Sequence, residues 1–275
     1  MLLERGFVGV TGERLAYLRR PGDPSAPTLV TFHQTPLSSW THRPLLEQSR
    51  HAGTIIAFDS PGYGDSDPIT HGASRDDEPS LNRFADRLEA AVEILAPDRR
   101  LVLLGQHTGA HLAVMIAIRL ASRTDGVIFQ GLTLYSDEER ADRAANYAPW
   151  FESDLDGSHL TAIWNRIASL YPRADVQLRD RMVRDYLAAS PGYPYAYLAV
   201  FAYDVRPIVE AFKATGIPSA VIIGADDLVA PRQDRVIDAF GSESIMLEGL
   251  TDHAVWEDPV RFAEAVDGWI KRLED

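Results

Sequence analysis

The sequence contains no cysteine, which excludes disulfide bonds, a catalytic thiol and zinc sites with cysteine ligands. Long hydrophobic runs are also missing. The longest, Leu112 to Ile118, is too short to cross a bilayer and ends at Arg119. The first ten residues lack the basic stretch and apolar core of a signal peptide, so we expect a cytoplasmic protein.

Basic residues are scarce relative to acidic ones: 27 Lys and Arg stand against 40 Asp and Glu, a formal net charge of −13. An acidic surface repels phosphate backbones and anionic lipids, so we expect neither a nucleic acid nor a membrane as partner. A small-molecule substrate is the expected partner, and a homodimer is left open. No cofactor is indicated by any motif.

Short apolar strands alternate with longer helical patterns along the 275 residues, which is typical of an α/β domain with a mostly parallel sheet. We predict about eight strands flanked by helices. Between residues 135 and 212 the pattern changes to helical stretches interspersed with aromatic residues. We interpret 135–212 as a helical cap inserted into a core formed by 1–134 and 213–275. Additional core helices are the alternative. The aromatic content favours an apolar or aromatic ligand.

A tight turn, Gly105-Gln106-His107-Thr108-Gly109, lies between the short strand at 101–104 and the strong helix at 110–121. Small residues at both ends of such a turn allow a strand to reverse sharply into a helix. The central side chain, His107, is thereby exposed at the carboxyl edge of the sheet. A pentapeptide alone is weak evidence, but four further segments occur in matching order.

Those segments are the turn after an early strand (His33-Gln34-Thr35-Pro36), the loop Asp59-Ser60-Pro61-Gly62-Tyr63-Gly64-Asp65-Ser66, and two late loops, Gly224 to Pro231 and Asp252-His253-Ala254. Together with the elbow turn, they resemble the α/β-hydrolase fold superfamily, which includes epoxide hydrolases, haloalkane dehalogenases and esterases. The resemblance covers nearly the whole chain and is weakest in the cap.

The resemblance implies a site of His107, Asp227 and His253, in the family order of nucleophile, acid and histidine. Asp226 is a second candidate for the acid. The backbone N–H groups of Thr35 and Thr108 correspond to the family's oxyanion hole. The acid orients the partner imidazole, which then moves protons.

Two residues depart from the family pattern. Gln34 replaces the usual glycine, and its amide either binds substrate or braces the loop. His107 stands where the family carries serine, aspartate or cysteine, and it can act as nucleophile, general base or binding group. His33 is counted with the candidate binding residues, although a role in holding the loop is the favoured interpretation.

A zinc site formed by His33, His107 and His253 is a further alternative, but the spacing matches no short metal motif, so no metal is expected. Three functions fit the sequence. The first is hydrolysis of a small ester, lactone or C–C bond. The second is a lyase, decarboxylase or isomerase reaction in which His107 and His253 move protons. The third is ligand binding by a pseudo-enzyme.

Overall fold

The computed structural model describes residues 2–68, 78–227 and 229–274. Its strands are β1 (Glu4–Val10), β2 (Glu13–Arg20), β3 (Thr28–Phe32), β4 (Ile55–Phe58), β5 (Leu101–Gln106), β6 (Thr124–Gln130), β7 (Ser219–Gly224) and β8 (Glu243–Leu247). They form one sheet in the order β1-β2-β4-β3-β5-β6-β7-β8. β2 pairs antiparallel with β1 and β4, whereas β3 to β8 are parallel. The predicted eight-stranded, mostly parallel sheet is confirmed.

The α-helices of the described residues lie between the strands from β3 onward and after β8. They are α1 (Arg43–Gln48), α2 (Leu81–Leu95), α3 (Thr108–Arg119), α4 (Asp137–Asn146), α5 (Ser158–Leu170), α6 (Val176–Ala189), α7 (Tyr195–Ala202), α8 (Arg206–Thr215), α9 (Gln233–Phe240), α10 (Ala254–Glu257) and α11 (Pro259–Glu274). None of the helices in the described ranges is long and apolar enough to cross a membrane.

The central strands β3 to β7 are covered on both faces, as parallel strands usually are. Side chains alternate along each strand, so Leu29 and Val102 join one core layer while Val30 and Leu103 join the other. The closing helix α11 packs in the first layer, and α3 packs in the second. The carboxyl ends of five adjacent parallel strands therefore meet at one rigid edge.

Helices α4 to α7 lie in the chain between β6 and β7, within the predicted cap. Several of their side chains, among them Tyr147, Tyr171 and Tyr197, line a cavity together with His107 at the carboxyl edge of the sheet. Helix α8 packs against α3 and α9, and the proposed boundary at 212/213 falls inside it. The division into 1–134, 135–212 and 213–275 stays a prediction.

Candidate active site

His107 occupies the sharp turn between β5 and α3. Its φ of 48° and ψ of −111° place a non-glycine residue on the left-handed side of backbone space. Such a conformation costs about 1–3 kcal/mol and persists only where its surroundings hold it. Here the His107 N–H donates to the Gln130 carbonyl (2.7 Å) and the Ala110 N–H donates to the His107 carbonyl (2.9 Å). The sharp turn places the imidazole at the carboxyl edge of the sheet, where it lines a cavity.

The turn forms because its glycines allow backbones to approach closely. A Cβ on Gly109 would lie 2.0 Å from the Phe32 carbonyl oxygen, and one on Gly105 would lie 2.2 Å from the Gly109 carbonyl oxygen. Helix α3 can therefore start directly against β3 and β5. This close packing explains why glycine occupies positions 105 and 109 of the turn.

A third glycine, Gly131, makes room for the imidazole. It follows β6 with φ 67°, and a Cβ there would lie 2.5 Å from Cε1 and 2.7 Å from Nδ1 of His107. No motif in the sequence singles out Gly131. Its only signal was its position directly after the strand next to the elbow.

We expect Gly131→Ala to displace the His107 ring and to abolish most turnover. Gly216→Ala is the matched control, since Gly216 has nearly the same φ (71°) but no atom within 4 Å of its Cβ position. Both variants should lose about 1 kcal/mol of stability from backbone strain. Steady-state kinetics and thermal unfolding of the two proteins measure the difference. Equal loss of activity in both would contradict a specific role for Gly131.

Among the described residues, the carboxylate nearest His107 belongs to Asp252, which is not one of the site residues predicted from the sequence. Asp252 Oδ2 lies 3.7 Å from His107 Nε2 and 3.9 Å from His253 Nε2, so it stands close to both imidazoles. Burial is the main cause that raises the pKa of Asp252 to about 7; His107 lowers it and Asp227 raises it further. A carboxyl group that titrates near neutrality in a cavity is a candidate for proton transfer.

Two glutamines fix the main chain at Asp252. Gln106 and Gln130 are paired residues at the ends of β5 and β6. Their Nε2 groups donate to the Asp252 carbonyl at 2.6 and 3.2 Å. The position of Asp252 thus depends on two strands, β5 and β6, that each end more than a hundred residues before it in the sequence. The motif did identify His253, the next residue in the sequence. That adjacency was the signal that could have indicated Asp252.

The structure separates the two candidates for the acid. Asp227 is buried and lines the cavity of His107, whereas Asp226 is exposed and pairs with Arg173 (2.6 Å). Asp227 Oδ1 accepts a hydrogen bond from the Val229 N–H (2.9 Å). Among the described residues, no hydrogen bond joins Asp227 to His253. The predicted site of His107, Asp227 and His253 stays a prediction, and the backbone holds Asp227 at one of its carboxylate oxygens.

His253 is buried against the ring of Tyr171, at 4.5 Å between centroids. Burial lowers the pKa of His253 to about 4, with opposing contributions from Glu257 and Asp227. Its Nε2 lies 3.4 Å from the Gln34 amide nitrogen, which can only donate. The neutral ring therefore carries its proton on Nδ1, and no partner for that atom is found within the described residues.

Thr35 and Thr108 both line the cavity beside His107. The first N–H groups of a helix have no partner within it, and Thr108 is the first residue of α3. No acceptor for the N–H of either threonine is found among the described residues. The Tyr197 hydroxyl donates to the Thr35 carbonyl (2.6 Å), so α7 holds this turn in place.

His33 lies in the same turn but serves the loop. Its Nδ1 contacts the Gln34 carbonyl (2.8 Å), and its Nε2 accepts from the Ser60 N–H (2.9 Å). Both ring nitrogens are thus used, which leaves neither for a substrate or a metal ion. No group of three His, Asp or Glu side chains in the described ranges is arranged to hold a metal ion.

Two cavities meet at this site. The His107 cavity has a volume of about 220 Å³ and includes Gln34, Thr35, Thr108 and Asp227 in its lining. The second cavity, the His253 cavity, has a volume of about 420 Å³ and adjoins the first. Its lining includes Trp40, Trp256 and His253. Leu170, Tyr171 and Asp252 border both. Only the smaller cavity combines the elbow residue with both predicted oxyanion donors.

Known proteins resemble this chain in sequence and in structure. A haloalkane dehalogenase of Sphingobium indicum is 30% identical over 127 residues, which is 46% of this chain and 41% of the relative. This chain therefore spans less than half the length of that relative. The crystal structure of E-2-(acetamidomethylene)succinate hydrolase is 19% identical with a TM-score of 0.73, covering 98% of this chain and all of the other. The enol-lactonase from Burkholderia xenovorans is 18% identical with a TM-score of 0.73, covering 97% and 100%.

At these identities the solved structures establish the fold alone. The model of the alpha/beta hydrolase family matches residues 32–265, which is most of the chain and includes every candidate residue from His33 to His253. The elbow turn, the sheet order and this match agree with one another, and the chain belongs to the alpha/beta hydrolase family.

Proposed function

We propose that the protein hydrolyses a small ester or lactone, with His107 as the general base. The observation that carries the proposal is the placement of His107: its imidazole occupies the elbow, in a cavity that Thr35 and Thr108, the expected oxyanion donors, also line. A base beside a pair of oxyanion donors is what attack of water on a carbonyl requires. Relatives named as hydrolase, lactonase and dehalogenase support a hydrolytic reaction.

The reaction begins with a water molecule between His107 and the substrate carbonyl. His107 Nε2 faces Asp252, so Nδ1, the other ring nitrogen, takes the proton from water as its oxygen bonds to the carbonyl carbon. The carbonyl oxygen becomes an oxyanion that accepts hydrogen bonds from Thr35 and Thr108. Ionised Asp252 stabilises the imidazolium that forms, as the acid of a triad does.

Collapse of the tetrahedral intermediate breaks the bond to the alcohol oxygen. The imidazolium returns its proton to that oxygen, which leaves as the alcohol, and His107 is neutral again. The products are a carboxylic acid and an alcohol, or a hydroxy acid from a lactone. Because water attacks directly, no covalent bond to the protein is needed. His253 Nε2 lies 3.9 Å from Asp252 Oδ2. In this scheme His253 affects the reaction through Asp252.

The test is turnover of short-chain esters and small lactones in oxygen-18 water. We expect one labelled oxygen in the carboxylic acid and none in the alcohol. Mass spectrometry of the products measures this. A product formed without label would contradict hydrolysis, and absence of turnover across the set would contradict this substrate class.

A second candidate is a proton-transfer reaction without hydrolysis, such as a lyase or isomerase reaction on an enolisable carbonyl compound. The observation that favours it is the trio of His107, Asp252 and His253, three proton-carrying groups with Asp252 close to both rings. The oxyanion donors would then hold an enolate. Exchange of substrate C–H for deuterium in D₂O, without oxygen-18 incorporation, would distinguish this function from hydrolysis.

A further inference from the structure

Helix α4 contributes a cationic side chain, Arg143, to the wall of the His107 cavity. Its guanidinium lies 5.0 Å from the ring centroid of Tyr147 and 5.6 Å from that of Tyr135. Within the described residues it forms no ion pair with a carboxylate. Tyrosine faces attract a cation but provide no acceptor for its N–H groups, so the fork of donors on Arg143 stays available.

A second arginine lies next to the same ring. The guanidinium of Arg166, on α5, is 5.3 Å from the centroid of Tyr147. Its Nε and Nη2 atoms are buried and have no hydrogen-bond partner within the described part of the chain. Two guanidinium groups around one tyrosine repel each other, and a negative charge between or beside them would reduce that repulsion.

This arrangement contrasts with other arginines of the cap. Arg140, one turn before Arg143 on α4, pairs with Asp137 at 2.8 Å, and Arg181 pairs with Asp185 at 3.0 Å. The chain has 40 acidic residues for 27 basic ones, so carboxylates are plentiful. An arginine that faces a cavity without one is therefore suited to an acceptor that comes from outside the chain.

Charge also differs between parts of the cavity lining. Asp227 and Asp252 line the cavity beside His107, whereas Arg143 lies in the part that the cap contributes; Arg232, the other arginine of the lining, pairs with Glu139 at 3.6 Å. A carboxylate is repelled by the two acidic residues and attracted by the guanidinium, whose planar fork matches its two oxygens. The cavity volume of about 220 Å³ lies below the roughly 300–1,000 Å³ of drug-sized pockets, so the occupant is small.

We propose that the substrate carries a free carboxylate, which binds Arg143 while its reacting carbonyl faces His107. The inference rests on the proposed hydrolytic function and names its substrate class: a small ester or lactone of a dicarboxylic or oxo acid. Arg143 thus selects the substrate and orients it. Arg166 adds to the positive potential at the same tyrosine.

The kinetic test compares monoethyl glutarate, an anion, with diethyl glutarate, its neutral counterpart. For the wild-type protein we expect kcat/KM to favour the anion, and in Arg143→Met this preference should fall by about tenfold or more, the effect of losing a charge-assisted hydrogen-bond pair. Arg140→Met removes the same charge from the same helix outside the cavity and should retain the preference. An equal fall in both variants would overturn the proposal.

A binding measurement separates this inference from the proposed reaction. Calorimetry with glutarate, butyrate and benzoate, against the matching amides, needs no turnover. Arg143-dependent binding of the acids but not the amides supports the anion site, even if no ester is hydrolysed and the hydrolytic function fails. Ester hydrolysis without anion preference, together with carboxylate binding that is absent or unaffected by Arg143→Met, overturns the anion site and leaves hydrolysis standing.

Discussion

Replacing His107 with alanine is expected to lower kcat/KM by about 10²–10⁴-fold, the range supplied by a positioned general base. The variant keeps the elbow, the oxyanion donors and the acidic residues but has no group at position 107 to accept a proton. His107→Gln is the companion variant, since it retains a polar side chain of similar size without basicity. Initial rates with the best ester or lactone measure both.

The matched control is His159→Ala. His159 is partly exposed near the start of α5, away from the residues that line the His107 cavity, and its Nδ1 accepts a local hydrogen bond from the Asp154 N–H (3.1 Å). This variant should keep wild-type turnover. Thermal unfolding establishes that the His107 variants are folded. Full activity in folded His107→Ala would contradict the proposed role of the imidazole.

His107→Ser carries this prediction further. It introduces the nucleophile commonest in this fold, yet we expect activity no higher than that of the alanine variant. A serine needs an imidazole within hydrogen-bond reach, oriented by an acid. Here His253 lies behind Asp252 and forms no hydrogen bond with Asp227 among the described residues. A serine at the elbow therefore finds no activating base.

The second large effect is expected at Asp252. In the wild-type protein kcat/KM should rise with pH through about 7, the pKa to which burial raises this carboxyl group. Below that pH the group carries a proton and cannot stabilise an imidazolium; above it the carboxylate is ionised. Asp252→Asn should lower kcat/KM by about 10²-fold and remove the inflection near 7, because the amide does not titrate.

The contribution of Asp252 to the free energy of unfolding should change with pH in the opposite direction to kcat/KM. The folded pKa of Asp252 lies above the ordinary value of 3.8, so the folded protein binds this proton more tightly than the unfolded chain does. The resulting stability is present below pH 3.8 and is lost as pH rises to about 7. Above pH 7 the wild-type protein holds a buried charge that the asparagine variant lacks. Denaturant unfolding at pH 8 should show Asp252→Asn at least as stable.

Asp226→Asn provides the control for Asp252. Asp226 precedes the cavity residue Asp227 but is exposed and pairs with Arg173. Its loss should leave both the rate and the pH profile near wild type. If the inflection near pH 7 persisted in Asp252→Asn, the titration would belong to another group and the assignment of Asp252 would be wrong.

The fold was predictable because its signals are local. The glycines of the elbow, the apolar strand before them and the helix after them are neighbours in sequence, and they fix where His107 lies. The mostly parallel sheet followed from the alternation of strands and helices and from the resemblance of the whole set of motifs.

The chemistry around His107 was less predictable because it depends on tertiary contacts. In the sequence, Asp252 stands out only as the neighbour of His253. Its approach to His107 follows from the two glutamines that donate to its carbonyl. Arg143 lies on a polar helix whose sequence gives no sign of a cavity. The link expected between Asp227 and His253 stays a prediction, because it depends on the tertiary arrangement of two distant loops and Asp227 Oδ1 also accepts a backbone N–H.

The glycine after β6 has a consequence for protein engineering. A histidine transplanted into the elbow of a serine enzyme of this fold needs empty space where the next strand ends, and any Cβ at the equivalent of Gly131 would lie 2.5 Å from the ring. The two positions therefore have to be exchanged together, with the glycine installed first. An imidazole-based catalyst built in this scaffold is a two-residue design.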